Sequence, residues 1–572
     1  MTAYKIIIKD KNYTQWVIYE NTTFEEIKDI EIDPIQSKLF SNDVFKIKNE
    51  QIEIIESKIR LSIIPCILIL SENKTYGRCG KNNKKLFYKC IPNDKSLPLF
   101  LVPYEIKHFH FSKVFTNLFV TINYINWDNK HPIGIITNVI GKVNEPNNFY
   151  EYKLCCRNLN NSIKSFIVNT ENQLKNNKKE FFISHILDTF PSIQDRRDLF
   201  IFTIDPLLTT DFDDALGIKY YNNTCCLSIY ISNVALWMDV LDLWSFFSQR
   251  VSTIYLPNLK KTMLPPVLSN DLCSLKSKSD RFAFVMDITI DFSCNNLNIT
   301  NIEYNNAIIN VSKNYYYEEK ELIQTEIYKN ILDITKKISQ NYDLGIKIKN
   351  SHDLVSYLMI FMNYNVSKKM IEHNHGIFRH IELNPFIDST KNLITHVNIN
   401  KIFHNSTGKY IDIQNHTEHL KNEMLGINSY THITSPIRRL VDLLNSIIFQ
   451  TNLKLLTFSD KALVFYNNWL NNLNFINETM KSIRKIQNEC FLLNIYFKNP
   501  DILNKHYDGV IITKEKYINN LFNYLIYIPE INILHKLIVF HDINNIEKNK
   551  FKLYLFNDED SYVKKIKMEL II

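Results

Sequence analysis

Four aspartates, Asp205, Asp211, Asp213 and Asp214, crowd into ten consecutive positions of the stretch Thr203-Ile204-Asp205-Pro206-Leu207-Leu208-Thr209-Thr210-Asp211-Phe212-Asp213-Asp214-Ala215-Leu216. Carboxylates held this close raise one another's pKa unless a cation neutralises them. A donor set made only of oxygen favours a hard ion, Mg2+ or Mn2+, over zinc. The competing reading is an acidic surface turn. The stretch lies between apolar runs rather than in a polar loop, which favours the metal site. An EF-hand does not fit, because the twelfth position counted from Asp211 is Asn222 rather than Glu.

Two further segments carry groups that suit phosphate or base chemistry. In Tyr430-Thr431-His432-Ile433-Thr434-Ser435-Pro436-Ile437-Arg438-Arg439, Ser435 fits a helix N-cap and Pro436 the first helical position. That places Arg438 in the first turn, where open N–H groups and a guanidinium would hold a phosphate. The alternative is an ordinary surface ion pair with Asp442, which suits Arg439 at i,i+3 better than Arg438. Residues 255–275 form a proline-punctuated loop able to hold an aromatic over a groove.

The elements that must position these groups fall into blocks. Short β-branched or aromatic runs fill residues 1 to about 190, among them Lys5-Ile6-Ile7-Ile8, Cys66-Ile67-Leu68-Ile69-Leu70 and Leu118-Phe119-Val120-Thr121-Ile122. Their close spacing predicts two small barrels. On such barrels Tyr76, Phe87, Tyr88 and Trp127 would either stack on single-stranded nucleic acid or lie in the core. A polar, helix-compatible linker follows at about 166–195. Phe200-Ile201-Phe202-Thr203-Ile204 reads as a strand ending at Asp205, where Pro206 blocks its continuation. Beyond it, Cys226 to Ala235 reads as a strand, and Leu243, Trp244, Phe247 and Val251 keep helical spacing. Residues 281–312 read as strands, about 320–500 as helices, and about 504–572 as a third small barrel with Asp558-Glu559-Asp560 in a solvated turn.

Composition sets the outer bounds. At 572 residues the chain exceeds one core and implies two to four domains. A 45% hydrophobic and 13% aromatic content excludes a largely disordered chain. The net charge of +7 permits a nucleic-acid partner without demanding one. Ten cysteines without CxxC or Cys/His spacing argue against zinc and disulfides, and so for a reducing, intracellular setting. The N-terminus lacks a signal-peptide apolar core, and the apolar stretch from Leu61 to Leu70 is too short to span a bilayer. Neither HExxH, a P-loop nor GxGxxG occurs.

Taken in order, the motifs resemble the RNase II / RNB family of 3′→5′ exoribonucleases. The resemblance rests on Thr203-Ile204-Asp205-Pro206 with Asp211-x-Asp213-Asp214-Ala215; on Arg250, Ser252, Tyr255-Leu256 and Met263-Leu264-Pro265; on Leu272-Cys273-Ser274-Leu275 with Arg281; and on Tyr430-x-His432-x-Thr434-Ser435-Pro436-Ile437-Arg438-Arg439 with Asp442. It implies a multidomain α+β fold in which small OB-type β-barrels flank a central mixed α/β RNB catalytic domain. The implied boundaries are 1–60 and 61–165 for two cold-shock/OB-like barrels, 166–195 for a linker, 196–500 for the RNB domain and 504–572 for a degenerate OB-type RNA-binding barrel.

The implied activity is processive, Mg2+-dependent (or Mn2+-dependent) hydrolysis of single-stranded RNA to 5′-mononucleotides. Asp205, Asp211, Asp213 and Asp214 would bind the metal, with Asp213 and Arg438 catalytic. Tyr255, Arg438, Ser435, Arg250 and Arg281 would contact RNA. The resemblance further implies a cytoplasmic monomer without membrane contact, or one placed in a virion or viral factory if the Asn-, Ile- and Lys-rich composition reflects an AT-rich viral genome. Two departures stand out: Asn233 occupies a position that is usually Asp, and Arg484 and Lys485 stand where some bacterial members have an active-site Glu. The alternative is a catalytically inactive RNB-fold RNA-binding protein.

Overall fold

A seven-stranded sheet carries the acidic stretch. Its strands lie in the order Gln194–Arg196, Asn298–Asn310, Asp280–Asp291, Thr224–Ser232, Asp214–Tyr220, Ile201–Asp205 and Lys313–Tyr316. Pairing is antiparallel except at the two edges, where Gln194–Arg196 and Lys313–Tyr316 join in parallel. Ile201, Phe202, Thr203 and Ile204 are all buried, as an unbroken apolar run in a sheet covered on both faces should be. Asp205 ends one strand and Asp214 begins its antiparallel neighbour, so the intervening loop projects from one end of the sheet. The computed structural model describes residues 2–49, 51–79, 85–106, 115–175, 179–292, 298–381, 408–415, 420, 422, 425–516, 521–531, 533–540, 542–543, 549–557 and 564–571. The expected turn at Asp558-Glu559-Asp560 lies outside them.

Helices cover the sheet. Ser351–Glu372, Leu440–Asn452 and Leu473–Lys498 share one core with the sheet, through side chains such as Leu358, Phe361, Leu444, Ile447 and Ile483 packed with Ile231, Phe284 and Ile308. Among the described residues no helix is long and apolar enough to cross a membrane.

On the N-terminal side, residues 64–142 close into a five-stranded barrel. The first unit differs from the expected barrel. Its five strands between Tyr4 and Glu56 form an open sheet, with Glu26–Ile27 and Gln51–Glu56 at the edges. Tyr88 and Trp127 are buried, and Trp127 stacks on Phe40, so both belong to the core rather than to a stacking surface. The expected linker at 166–195 is helical and packed. Lys164–Lys175 and Lys179–Thr189 bury Phe166, Phe182 and Ile186 in the main core, a long-range packing that a polar local composition conceals.

Two local expectations also change. Trp244 does not continue a long helix: Val234–Val240 ends early, and Asp242 takes a left-handed φ of 48° before a single turn at Trp244–Phe246. The Pro257-Asn258 turn folds Ile254–Leu256 and Leu259–Lys261 into a hairpin inside the expected loop. The C-terminal strands from His506 to Ile571 form a five-stranded sheet with Ile533–Val539 and Lys564–Ile571 at its edges. The His535 imidazole lies 3.3 Å from the Ile566 carbonyl and draws those edges together.

Candidate active site

The loop after Asp205 is stitched down from one side. The Ser274 hydroxyl accepts from the Phe212 N–H and donates to the Thr210 carbonyl, each at 3.0 Å, and the Leu275 N–H donates to the Phe212 carbonyl. This clamp turns Asp211 and Asp213 to different partners. Asp211 accepts from the Lys260 ammonium and, at 3.1 Å, from the Tyr255 hydroxyl. Asp213, only 3% exposed, accepts from the Ile437 N–H at 2.9 Å and from Arg438 Nε at 3.1 Å, across more than 220 residues of chain.

Arg438 stands in a turn, not in a helix. Its helix begins at Leu440, because Arg439 is extended (φ −132°, ψ 126°) and forms a β-bridge with Ser252. The Ser-Pro start signal is local, whereas that bridge comes from far along the chain and overrides it. The first N–H of the expected phosphate cradle is already taken, since Ile437 donates to Asp213. Arg438 Nη2 donates to the Ser435 hydroxyl at 3.0 Å, and Nη1 has no hydrogen bond among the described residues. Arg439 pairs with Asp442 at 2.8 Å, as its spacing predicts.

The same bridge seats Tyr255. The Ser252 hydroxyl and the Thr253 N–H both donate to the Arg438 carbonyl, at 2.8 and 2.9 Å. The Tyr255 ring is 41% exposed, with the Lys260 ammonium 5.8 Å from its centroid. Lys260 escaped the sequence reading. Its signal was the Pro-Asn turn, which puts Lys260 directly across the hairpin from Tyr255.

Electrostatics single out the acidic cluster. Burial pushes Asp213 up to about 7, against the pull of Arg438 and the Ile437 N–H. Asp205 is raised by burial and by the charge of Asp214, and Asp214 is raised by burial against the pull of Arg438. Burial opposes the charge on Arg438, but Asp213, Tyr255, Asp442 and Asp214 outweigh it and raise its pKa. Burial thus makes charge on these carboxylates costly, and a cation beside them would favour their ionised forms.

Whether this set fits a divalent ion can be judged from the donors. Asp205 Oδ2 is buried without a hydrogen-bond partner, which is costly for a carboxylate in a folded core. Among the described residues no three acidic, His or Cys side chains converge closely enough to hold an ion by themselves. Mg2+ keeps several waters and binds through one or two carboxylates, so Asp205 and Asp214 fit it as a pair. Asp211 and Asp213 have protein partners already and fit as supports for its water shell.

Three other expected residues are used differently. Arg281 is 2% exposed and donates to the Ser274 and Asp280 carbonyls and to Asp271, so its donors hold the Ser274 clamp. Arg250 donates to the Asn161 and Thr262 carbonyls, tying the hairpin base to the segment between Leu159 and Ile163. The Asn233 side chain caps the helix Val234–Val240 at Leu236 and donates to Asn306 and Gln450. It is a buried structural amide, and its lost charge is not a gap in the cluster.

Comparison with known proteins agrees with this architecture. Residues 193–344 and 321–455 match the model of the RNB domain. Ribonuclease R of Mycoplasmopsis pulmonis is 32% identical over 171 residues, 28% of this chain and 23% of that protein. Exoribonuclease 2 of Psychromonas ingrahamii is 33% identical over 162 residues, also 28% of this chain and 23% of its own length. The matched segment thus spans about a quarter of these relatives. The structure of Mycoplasma genitalium RNase R in complex with ribose-methylated single-stranded RNA superposes with a TM-score of 0.64 at 16% identity, covering 100% of both chains, which shows a shared fold. The chain carries an RNB domain, and over the matched segments it is similar to ribonuclease R and exoribonuclease 2 proteins.

Proposed function

We propose that this protein is a processive, hydrolytic 3′→5′ exoribonuclease acting on single-stranded RNA and releasing 5′-mononucleotides. One observation carries the reading: the Asp213 carboxylate binds Ile437 and Arg438 directly, bringing an acidic cluster, an arginine and a half-exposed tyrosine to one place. In the reaction a water oxygen bonds to phosphorus and the bond to the 3′ oxygen breaks, leaving a shortened strand with a 3′-hydroxyl.

Asp205 and Asp214 hold Mg2+, or Mn2+ in its place, with Asp211 and Asp213 supporting its water shell. When bound, the ion would supply a Lewis acid and favour the ionised form of the buried carboxylates. Arg438, fixed by Asp213 and Ser435, directs Nη1 at the phosphate and stabilises charge that builds in the transition state. Tyr255, tethered through its hydroxyl, offers its ring to the terminal base, and stacking of this kind tolerates any sequence. Asp211 accepts that tether, so the base platform and the acidic cluster share one carboxylate.

The test is digestion of 5′-labelled single-stranded RNA with Mg2+, with Mn2+ and with EDTA. Stepwise shortening that stops with EDTA is expected, with mononucleotides as product. A second reading, an inactive RNA-binding protein, is favoured by the protein partners that already occupy Asp211 and Asp213. It predicts RNA binding without shortening in any of the three conditions.

A further inference from the structure

Behind Arg438 lies a second group of arginines that the proposed reaction leaves unused. The strands Ile377–His380 and Lys409–Asp412 pair so that Arg379 stands opposite Tyr410. The Arg379 guanidinium lies 4.9 Å from the Tyr410 ring centroid and is 5% exposed. From its other side the backbone at Gly408 closes in, since a Cβ there would come within 3.0 Å of the guanidinium carbon. Tyr410 is fixed in turn. Its hydroxyl lies 2.9 Å from the His432 ring, and its backbone exchanges two hydrogen bonds with the Asn477 side chain. Asn477 belongs to the helix Leu473–Lys498, which two turns later presents Arg484 on the same face.

Neither guanidinium has a hydrogen bond or an ion pair among the described residues, and each has Tyr410 as its favourable neighbour. Arg379 is opposed by burial and by the charges of Arg484 and Arg439, which bring it down to about 10. Burial lowers Arg484 in the same way. A buried guanidinium beside a second, partly buried one, with no acidic partner among the described residues, is a costly arrangement that an anion would relieve. The group lies near the phosphate position at Arg438, because Arg439, the next residue, bonds Asp442 and is felt electrostatically by Arg379, while Arg438 bonds Asp213.

We infer that Arg379 and Arg484, held by Tyr410, form a second phosphate subsite that takes a phosphate of the RNA strand next to the one at Arg438. This rests on the reading of RNA as the ligand. The occupant is either an internal phosphodiester of the strand or a phosphate on its 3′ end, and guanidinium forks suit both.

The experiment measures binding by fluorescence anisotropy, with EDTA present to prevent cleavage. The probes are single-stranded oligomers of one sequence, ending in a 3′-hydroxyl or a 3′-phosphate. The double variant Arg379→Gln/Arg484→Gln should bind on the order of tenfold more weakly. Its slope of log affinity against log salt should fall by about 0.7, the value of one lost single-strand phosphate contact. Equal loss for both oligomers identifies an internal phosphodiester, and loss confined to the 3′-phosphorylated one identifies the terminal phosphate. Wild-type affinity and slope for both would overturn the subsite.

A purely structural role predicts a different pattern. Removing two repelling cations should leave the melting temperature unchanged or higher, and inorganic phosphate should stabilise the wild type more than the variant. A lowered melting temperature with unchanged affinity of the folded protein would also overturn the subsite. Wild-type protein that binds RNA in this salt-dependent way without cleaving it refutes the exonuclease reading alone. Cleavage by the wild type with unchanged binding by the variant refutes the subsite alone.

Discussion

Asp213→Asn isolates the charge at the centre of the site while keeping the side chain's size. The amide oxygen can still accept from the Ile437 N–H, but the amide nitrogen would face Arg438 Nε, donor against donor. Breaking a fully buried ion pair from one side costs about 3–5 kcal/mol. Here the Arg438 side chain is 39% exposed and water takes over much of the lost pairing, so roughly 1–2 kcal/mol is the better figure. Burial already drives this carboxylate toward its neutral form, which reduces the cost further. The fold should therefore survive. Catalysis should not, because a group that fixes a transition-state charge contributes about 10²–10³-fold or more. The assay pairs a time course on 5′-labelled RNA with anisotropy on the same strand and urea unfolding of the same preparation. Expected are a rate at least 100-fold lower, binding within a few-fold of wild type and a small shift in unfolding midpoint. Cleavage within a few-fold of wild type would refute the assignment, and so would a loss of stability above about 4 kcal/mol, which would mark Asp213 as mainly structural.

Other perturbations separate base positioning from packing. Tyr255→Ala removes the half-exposed ring and should change the length of the limit product on gels, whereas Tyr255→Phe should keep that length and only loosen Asp211. Asn233→Asp places a charge against Asn306 and Gln450, so its folded pKa should be raised. A raised acid costs stability as pH climbs above its unfolded value of about 4, so the variant should lose stability from pH 4 to 7, with cleavage per folded molecule unchanged. Asp287 pairs with Arg196 and bonds Ser228 and Asn305; burial opposes its charge, but these partners leave its pKa below the usual carboxylate range. Its contribution is thus present above about pH 4 and lost as pH falls through the lower folded value. Asp287→Asn should cost about 3 kcal/mol in urea unfolding at pH 7 and much less near pH 2.

What the sequence made legible was local or strongly patterned. The strand into Asp205 and its stop at Pro206 needed only period and proline, and both lie in the structure where they were expected. The errors came where a distant partner decides. Arg439 is extended because Ser252 reaches it from 187 positions earlier in the chain, and this delays the helix that Ser435-Pro436 advertises. Arg250 and Arg281 were expected at RNA from the resemblance, and their donors also meet backbone carbonyls that no local pattern announces. Lys164–Lys175 and Lys179–Thr189 look like a tether by composition, and only the core around Phe166 and Ile186 shows that they are packed.

The Ser252–Arg439 bridge also has a metric consequence. It joins the backbone under Tyr255 to the backbone under Arg438, with two hydrogen bonds onto one carbonyl. A bracket made of main chain holds its span far more tightly than opposed side chains on separate loops could. If the terminal base rests on Tyr255 and the scissile phosphate on Arg438, that span is the machine's gauge block. The increment removed at each cycle is then a fixed length written into the backbone, indifferent to which base occupies the platform.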